Sequence, residues 1–247
     1  MDESGGRRRF LKSVGALGAI VPAGAIAQQH AHGAAKGEKY MFLSPAEIAF
    51  LDAAVARLIP ADKLGPGAKE AGVTYFIDQQ LFGGWGTMAK MYRQGPHAEG
   101  TPQQGYQSPL TPQEVYRAAI AEIDAGCVKQ HGRAFAKLAT AQQDEVLHAL
   151  DDSKFPLEAV PARFFFNLLL DNTIEGFFSD PIYGGNRDKA GWKLVGFPGV
   201  AAVYTPHVEK HGVPYNAQPV SILDMLEGRV DADEHGHPKH VMIARKD

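Results

Sequence analysis

Apolar positions recur three and four residues apart in five long segments of the chain, and this spacing predicts amphipathic helices. The segments begin near Ser44, Gly67, Thr111, Thr140 and Pro161 and end near Pro60, Leu81, Gln130, Leu150 and Phe178. Capping boxes mark two of the starts, each with a proline at the first helical position: Ser44 with Glu47, and Thr111 with Glu114. We also expect Thr140 with Gln143 to cap the fourth helix.

The segment from 161 to 178 is the most apolar part of the chain, and a helix that is apolar on nearly every side is typical of the centre of a bundle. Beyond it, only Val220 to Leu226 predicts another helical turn or two, and Val241 to Ile243 a short strand. We therefore predict a mainly α protein. It is a single helical domain of about five helices, with long ordered loops rich in glycine and aromatic residues and little or no β-structure.

Two glycine-rich segments, 83–110 and 179–199, show no sustained period. Structureless connections beyond about 12–15 residues tend to be functional or disordered, and the aromatic residues of the first segment favour ordering against another surface. In the second, the stretch 184–193 fits neither GxxxxGK[ST] nor GxGxxG, and the pattern predicts no helix start after it. We expect a tight loop there rather than a phosphate site.

The first 27 residues have the pattern of a twin-arginine export signal. The motif R-R-x-F-L-K is matched by Arg7, Arg8, Phe10, Leu11 and Lys12. A short apolar stretch then ends in Ala25-Ile26-Ala27, a small-x-small cleavage signal. After residues 1–27 we expect a flexible leader over 28–43, a helical domain over 44–230 and a polar, peripheral C-terminal tail over 231–247.

Net charge and cysteine content exclude several classes of protein. The net charge of −3 comes from scattered charges, whereas a nucleic-acid binder usually carries a basic stripe. A single cysteine, Cys127, excludes an internal disulfide framework, an iron–sulfur cluster and a CxxCH haem site. Cys127 falls on the inward stripe of its helix, which favours a buried thiol. A disulfide to another chain is the alternative.

Carboxylates and histidines supply the other candidate sites. Asp171 and Glu175 lie four residues apart on one helix face, as a general acid and base would. We favour a structural role in which Glu175, with Asp180 and Asn186, pins the following loop through hydrogen bonds. Loose metal-ligand spacing occurs in the polar termini, where a closed coordination shell is hard to preorganise, at His30, His32, His235, His237 and His240.

Three groups of residues resemble the gluconate 2-dehydrogenase subunit 3 family. The longest reads TIEGFFSDPIYGGN over 173–186 and continues with GW at 191–192 and GFPG at 196–199. The second reads IPAD at 59–62, GPGA at 65–68 and AGV at 71–73. The third reads GYQ at 105–107 and LTP at 110–112. Together with the leader, the resemblance covers about residues 1–215.

This resemblance implies a small, γ-type subunit of a periplasmic dehydrogenase complex held at the inner membrane through its partners. A large FAD subunit would oxidise a sugar or sugar acid, and a multihaem cytochrome c would pass the electrons on, so no cofactor is expected in this chain. The small subunit would supply the signal read by the twin-arginine (Tat) translocase and aid maturation of the flavoprotein. We expect aromatic anchors for that partner at Trp85, Tyr92, Tyr106, Tyr183 and Trp192, and for Trp192 a place in the core is the alternative.

Two other functions stay open at the level of sequence. One is an independent exported enzyme or sugar-binding protein that uses Asp171, Glu175 and Asn186 around a pocket. The other is an export chaperone that is absent from the finished complex. The substrate also stays open among gluconate, 2-ketogluconate, fructose, glucose and other polyols.

Overall fold

The computed structural model describes residues 39–98, 100–200, 204 and 207–242. The predicted export signal over 1–27, the leader up to residue 38 and Ile243 lie outside them. The described residues form seven α-helices and no β-sheet, which confirms the mainly α prediction. Among these residues, no helix combines the length and apolarity that a membrane crossing requires.

Five of these helices have ten or more residues: α1 Pro45–Leu58, α2 Val73–Phe82, α3 Pro112–His131, α4 Thr140–Asp151 and α5 Ala162–Phe178. Two shorter helices follow, α6 Ala190–Val195 and α7 Ile222–Leu226. Single 3-10 turns lie at Pro102–Gln104, Phe135–Lys137, Pro181–Tyr183 and Arg187–Lys189.

The capping boxes predicted at α1 and α3 are confirmed. The Ser44 hydroxyl accepts a bond from the Glu47 N–H (3.4 Å), and the Glu47 carboxylate accepts one from the Ser44 N–H (2.7 Å). Thr111 and Glu114 make the same reciprocal pair at 3.2 and 2.7 Å. These bonds satisfy amides that a helix start otherwise leaves without partners, so four local residues determine each start.

The predicted start of α2 is wrong, since the helix begins at Val73 and not at Gly67. A Cβ at Gly67 would overlap the backbone of residues 59–61, which shows how closely this turn packs on the end of α1. Gly72 then adopts a φ of +80°, which a helix does not allow. The turn between α1 and α2 is therefore set by the close packing of Gly67 on the backbone of residues 59–61, which periodicity does not report.

The predicted cap of α4 is also wrong. Ala139 precedes the helix, and its N–H donates to the Gln142 side chain (3.1 Å). Gln143 does not cap the helix; its side-chain amide donates to the Phe135 carbonyl (3.2 Å). The helix α6 is a further correction, since it begins at Ala190, inside the glycine-rich stretch 184–193 where we expected only a tight loop.

α5 lies at the centre of the bundle, in contact with α1, α2, α3, α4 and α6. Phe165, Leu169 and Phe177 on this helix are fully or almost fully buried in the core. Its C-terminal half is less enclosed, since Ile174 and Phe178 are exposed. The central position agrees with the apolar pattern, while one strip of the helix stays open to solvent.

The long connection 83–110 is tied to the bundle at both ends. The Gln113 N–H donates to the Gly86 carbonyl (3.2 Å), and the Gln113 side chain donates to the Leu81 carbonyl (2.8 Å). Tyr106 packs against Phe164 with ring centroids 5.4 Å apart. These contacts hold the connection against α2, α3 and α5.

Both ends of the ordered body differ from the predicted boundaries. The N–H groups of Met41, Phe42 and Leu43 donate to the Asp78 carboxylate at 2.8, 3.0 and 2.8 Å, so the flexible leader predicted over 28–43 ends earlier than expected. In the tail predicted over 231–247, the Val241 carbonyl accepts a bond from the Gln218 N–H (2.9 Å). This tail is polar but attached to the preceding segment.

Candidate functional site

The loop of residues 179–199, called the motif loop below, follows the C-terminal end of α5 and is organised around Asn186. Asn186 is completely buried. Its side-chain N–H donates to the Ser179 carbonyl (2.7 Å), and its side-chain oxygen accepts from the Gly191 N–H (2.8 Å). One amide side chain therefore joins the start of the loop to the start of α6.

Close backbone approaches explain the glycines of the motif loop. A Cβ at Gly185 would overlap the Gly176 carbonyl, and one at Gly191 would overlap the Phe177 carbonyl. Between them, three residues other than glycine adopt the left-handed conformation: Asn186, Asp188 and Lys189 at φ +46°, +53° and +58°. Each such residue costs roughly 1–2 kcal/mol, so surrounding contacts must hold the loop in this shape.

Two buried carboxylates fasten the motif loop to α7. Asp180 accepts hydrogen bonds from the N–H groups of Ile182 (3.0 Å) and Ile222 (2.7 Å). The Lys189 ammonium lies 2.7 Å from the Asp224 carboxylate, which also caps α7. The loop and the chain beyond residue 220 therefore form one connected unit.

Glu175 does not pin the loop with its side chain, contrary to our expectation. The residue is exposed, and it is its main-chain carbonyl that accepts a bond from the Ser179 N–H (2.7 Å). Desolvation raises the pKa of Glu175, and the neighbouring Asp171 carboxylate raises it further. Asn186 uses both polar side-chain atoms within the loop, so it does not line a pocket with Asp171 and Glu175.

The five aromatic residues expected at a partner interface divide into two groups. Tyr92, Tyr183 and Trp85 are 86%, 46% and 39% exposed. Trp192 is only 6% exposed, and its indole N–H donates to the Phe178 carbonyl (2.7 Å), while Tyr106 is half-buried against Phe164. The first three are available for contact, whereas the other two support the fold.

Sequence reasoning missed a group of exposed apolar side chains around the C-terminal ends of α5 and α6. We call this group the apolar edge; it consists of Ile174, Phe178, Leu194, Val195 and Phe197. The Phe197 ring lies 5.2 Å from that of buried Trp192, so the edge is the outward side of the packed motif loop. Consecutive apolar residues after Trp192 gave a signal, but periodicity did not show which of them face solvent.

Cys127 is fully buried on α3, which argues against the alternative of a disulfide to another chain. Burial raises the pKa of its thiol to about 11, and the nearby Asp124 carboxylate adds to the shift. A sulfur atom inside the core cannot reach a second chain unless the helix opens. The alternative that we favoured, a buried free thiol, describes this side chain.

The C-terminal histidines do not converge on one point. The rings of His235 and His237 lie 6.0 Å apart, and His240 instead contacts the Val200 carbonyl (2.8 Å). Within 39–98, 100–200, 204 and 207–242, no group of three or more His, Cys, Asp or Glu side chains could hold a metal ion. His30 and His32 lie outside these ranges.

Comparison with known protein families adds to this geometry. The sequence model of the family described as gluconate 2-dehydrogenase subunit 3 matches residues 45–199, from the start of α1 to the end of the motif loop. The chain belongs to this family. No curated protein and no solved structure matches the chain significantly. The name of the subunit 3 family implies a dehydrogenase with several subunits. The family match ends at residue 199, where the motif loop joins the segment leading to α7.

Proposed function

We propose that this chain is the small, non-catalytic subunit of a periplasmic, FAD-dependent dehydrogenase complex that oxidises a sugar or sugar acid. In this role it supplies the Tat export signal and aids maturation and assembly of the flavoprotein subunit. FAD belongs to that large subunit, and haem c belongs to a multihaem cytochrome that carries the electrons onward. The complex is held at the inner membrane through these partners.

Membership of the subunit 3 family is the observation that carries this proposal. The twin-arginine pattern at Arg7 and Arg8 supports export of the chain in a folded state. A short leader on this chain would then serve a folded partner bound to it. Hydrogen bonds from the Asn186 and Asp180 side chains hold the motif loop in one conformation. A loop fixed in this way is consistent with a rigid contact surface.

The surface that we assign to the flavoprotein combines the exposed aromatic residues with the apolar edge. A few residues, most often Trp, Tyr and Arg, give most of the binding energy in protein interfaces, and the side chains around them exclude water. Tyr183 and the apolar edge belong to or adjoin the motif loop, and Trp85 and Tyr92 belong to the other long connection. Trp192 and Tyr106 hold these segments in place and do not serve as anchors.

Co-purification with the flavoprotein tests the proposal. The complex is extracted from membranes of the native host through a tag on this chain, and its other subunits and flavin content are identified. We expect a flavoprotein and a cytochrome c in stoichiometric amounts. Tyr183→Ala combined with Phe197→Ala should reduce the recovered flavoprotein at least tenfold, because anchor residues typically contribute more than about 2 kcal/mol each.

Val128→Ala is the matched control, since Val128 is exposed on α3 and lies outside the assigned surface. Unchanged recovery in the double variant would contradict the assigned surface. A tagged chain that is absent from the active enzyme would favour the chaperone function, and sugar oxidation by the purified chain alone would favour an independent enzyme.

A further inference from the structure

We propose that residues 40–43 form a latch, closed by Asp78, that attaches the leader to the folded body and makes export depend on the packing of α2 and α3. The proposal rests on the export role described above. It concerns a segment that precedes α1 and lies outside the family match at residues 45–199.

The carboxylate of Asp78 is the centre of the latch. Asp78 lies on α2 and is completely buried. It accepts the N–H groups of Met41, Phe42 and Leu43 at 2.8–3.0 Å, and a fourth bond comes from the Gln79 side chain (3.0 Å). Hydrogen bonds to a charged acceptor are among the stronger ones in proteins, and three of these four come from consecutive residues.

A second set of contacts holds the same residues from α3. The Arg117 guanidinium lies 4.4 Å from the centroid of the Phe42 ring and donates to the Phe42 carbonyl (3.1 Å). Tyr40 packs edge-on against Tyr75 of α2, with centroids 5.6 Å apart. Residues 40–43 therefore contact α2 and α3 through both their main chain and their side chains.

The Asp78 carboxylate and the N–H groups of residues 41–43 depend on each other. A buried carboxylate that loses its donors carries a large desolvation cost. The partners of residues 41–43 are 35 to 75 positions away in sequence, so the segment can close only when α2 and α3 have packed. An incompletely folded chain leaves the segment open and the leader attached to a mobile connection. A folded chain holds residues 40–43 at one defined place on α2 and α3.

Two variants open the latch in different ways. Asp78→Asn replaces a charged acceptor with an amide, and Arg117→Ala removes the outer contact at an exposed position, which spares the core. Asp52→Asn makes the same chemical change in a surface ion pair with Lys69 and is the matched control. Arg7→Lys combined with Arg8→Lys tests the export route itself.

Hydrogen exchange of the full-length precursor and the fraction of processed protein in the periplasm are both measured. Exchange at residues 41–43 should rise about tenfold in Asp78→Asn and about threefold in Arg117→Ala, with exchange in α3 unchanged for Arg117→Ala. Processed protein should fall at least threefold in Asp78→Asn and measurably in Arg117→Ala, while Asp52→Asn matches the parent chain.

Three outcomes separate the claims. Unchanged exchange at 41–43 in both variants overturns the latch. Faster exchange with undiminished export overturns its coupling to export. Export that survives the double lysine variant overturns the proposed twin-arginine route. If Asp78→Asn loosens α3 as well, Arg117→Ala alone decides between these outcomes.

Discussion

Gly185 is one of two glycines, with Gly191, at which the backbone of the motif loop closely approaches α5. Because an added Cβ would overlap the Gly176 carbonyl, Gly185→Ala should lower the free energy of unfolding by about 2 kcal/mol through overpacking. Urea denaturation measures the change. Gly84→Ala is the control, since a Cβ at Gly84 meets open space, and a loss of equal size there would contradict the steric explanation.

Asn186 gives a second test on the same scale. Asn186→Ala removes both hydrogen bonds and leaves a partly buried carbonyl and a buried N–H unsatisfied, so we expect a loss of about 2–3 kcal/mol. Asn167 is exposed on α5, and Asn167→Ala should change stability by less than about 0.5 kcal/mol. Thermal unfolding of the two variants measures both losses. An equal loss in Asn167→Ala would contradict the role of the Asn186 hydrogen bonds.

Sequence reasoning was uneven at this scale. Burial of Cys127 followed from its place on an apolar stripe, because helical spacing reports which residues face inward. We predicted that Glu175, Asp180 and Asn186 all pin the loop, and the prediction failed for Glu175. Spacing cannot tell which carboxylate turns back toward a loop amide. Trp192 was grouped with surface anchors because its partner, the Phe178 carbonyl, is 14 residues away.

Among the helices, α3 carries a prediction about reactivity. With its thiol buried and its pKa raised to about 11, Cys127 should react with a thiol reagent at pH 8 at least about a hundredfold more slowly in the folded chain than in urea. Labelling followed by mass spectrometry measures both rates. Labelling of the native chain at the unfolded rate, or a gel band containing this chain that shifts on reduction, would contradict the buried position.

The helices that were predicted well are those whose ends are encoded locally. Capping boxes gave the starts of α1 and α3, because the donors and acceptors lie within four residues. The start of α2 depends on Gly67 meeting the backbone of residues 59–61. The helix α6 follows three left-handed residues, of which Lys189 is held by Asp224, 35 positions away. A pattern limited to neighbours along the chain cannot contain either cause.

On the scale of the whole molecule, the pair of Lys189 and Asp224 joins the family-matched part to the chain beyond it. Burial alone would raise the pKa of Asp224, but the hydrogen bonds from Lys189 and Ser221 outweigh it and hold that pKa below its usual range. A carboxyl group with a lowered pKa in the folded state stabilises the fold above its unfolded pKa. That stability is lost as pH falls through the folded pKa.

Asp224→Asn should therefore cost about 3 kcal/mol near pH 7, where the buried pair is intact. The difference from the parent chain should shrink only as the pH falls below the ordinary pKa of an aspartate, about 3.9, toward the lower pKa of the folded-state carboxyl, because Asp224 takes up its proton in that window. Urea denaturation at a series of pH values gives this difference. Asp188→Asn, an exposed change in the same loop, should leave the pH profile unaltered, and a difference that is constant with pH would contradict the electrostatic origin.

The path of the last described residues determines where an affinity tag or a fusion partner can be attached to the protein. His240 and Met242 return to Val200 and Ala217, so this part of the chain runs alongside the motif loop. An affinity tag or fluorescent fusion joined there would crowd the surface that we propose for a partner, and one at the amino terminus would precede the proposed export signal. The exposed turn 153–154, at the opposite end of α5, gives protein engineers an insertion point that avoids both conflicts.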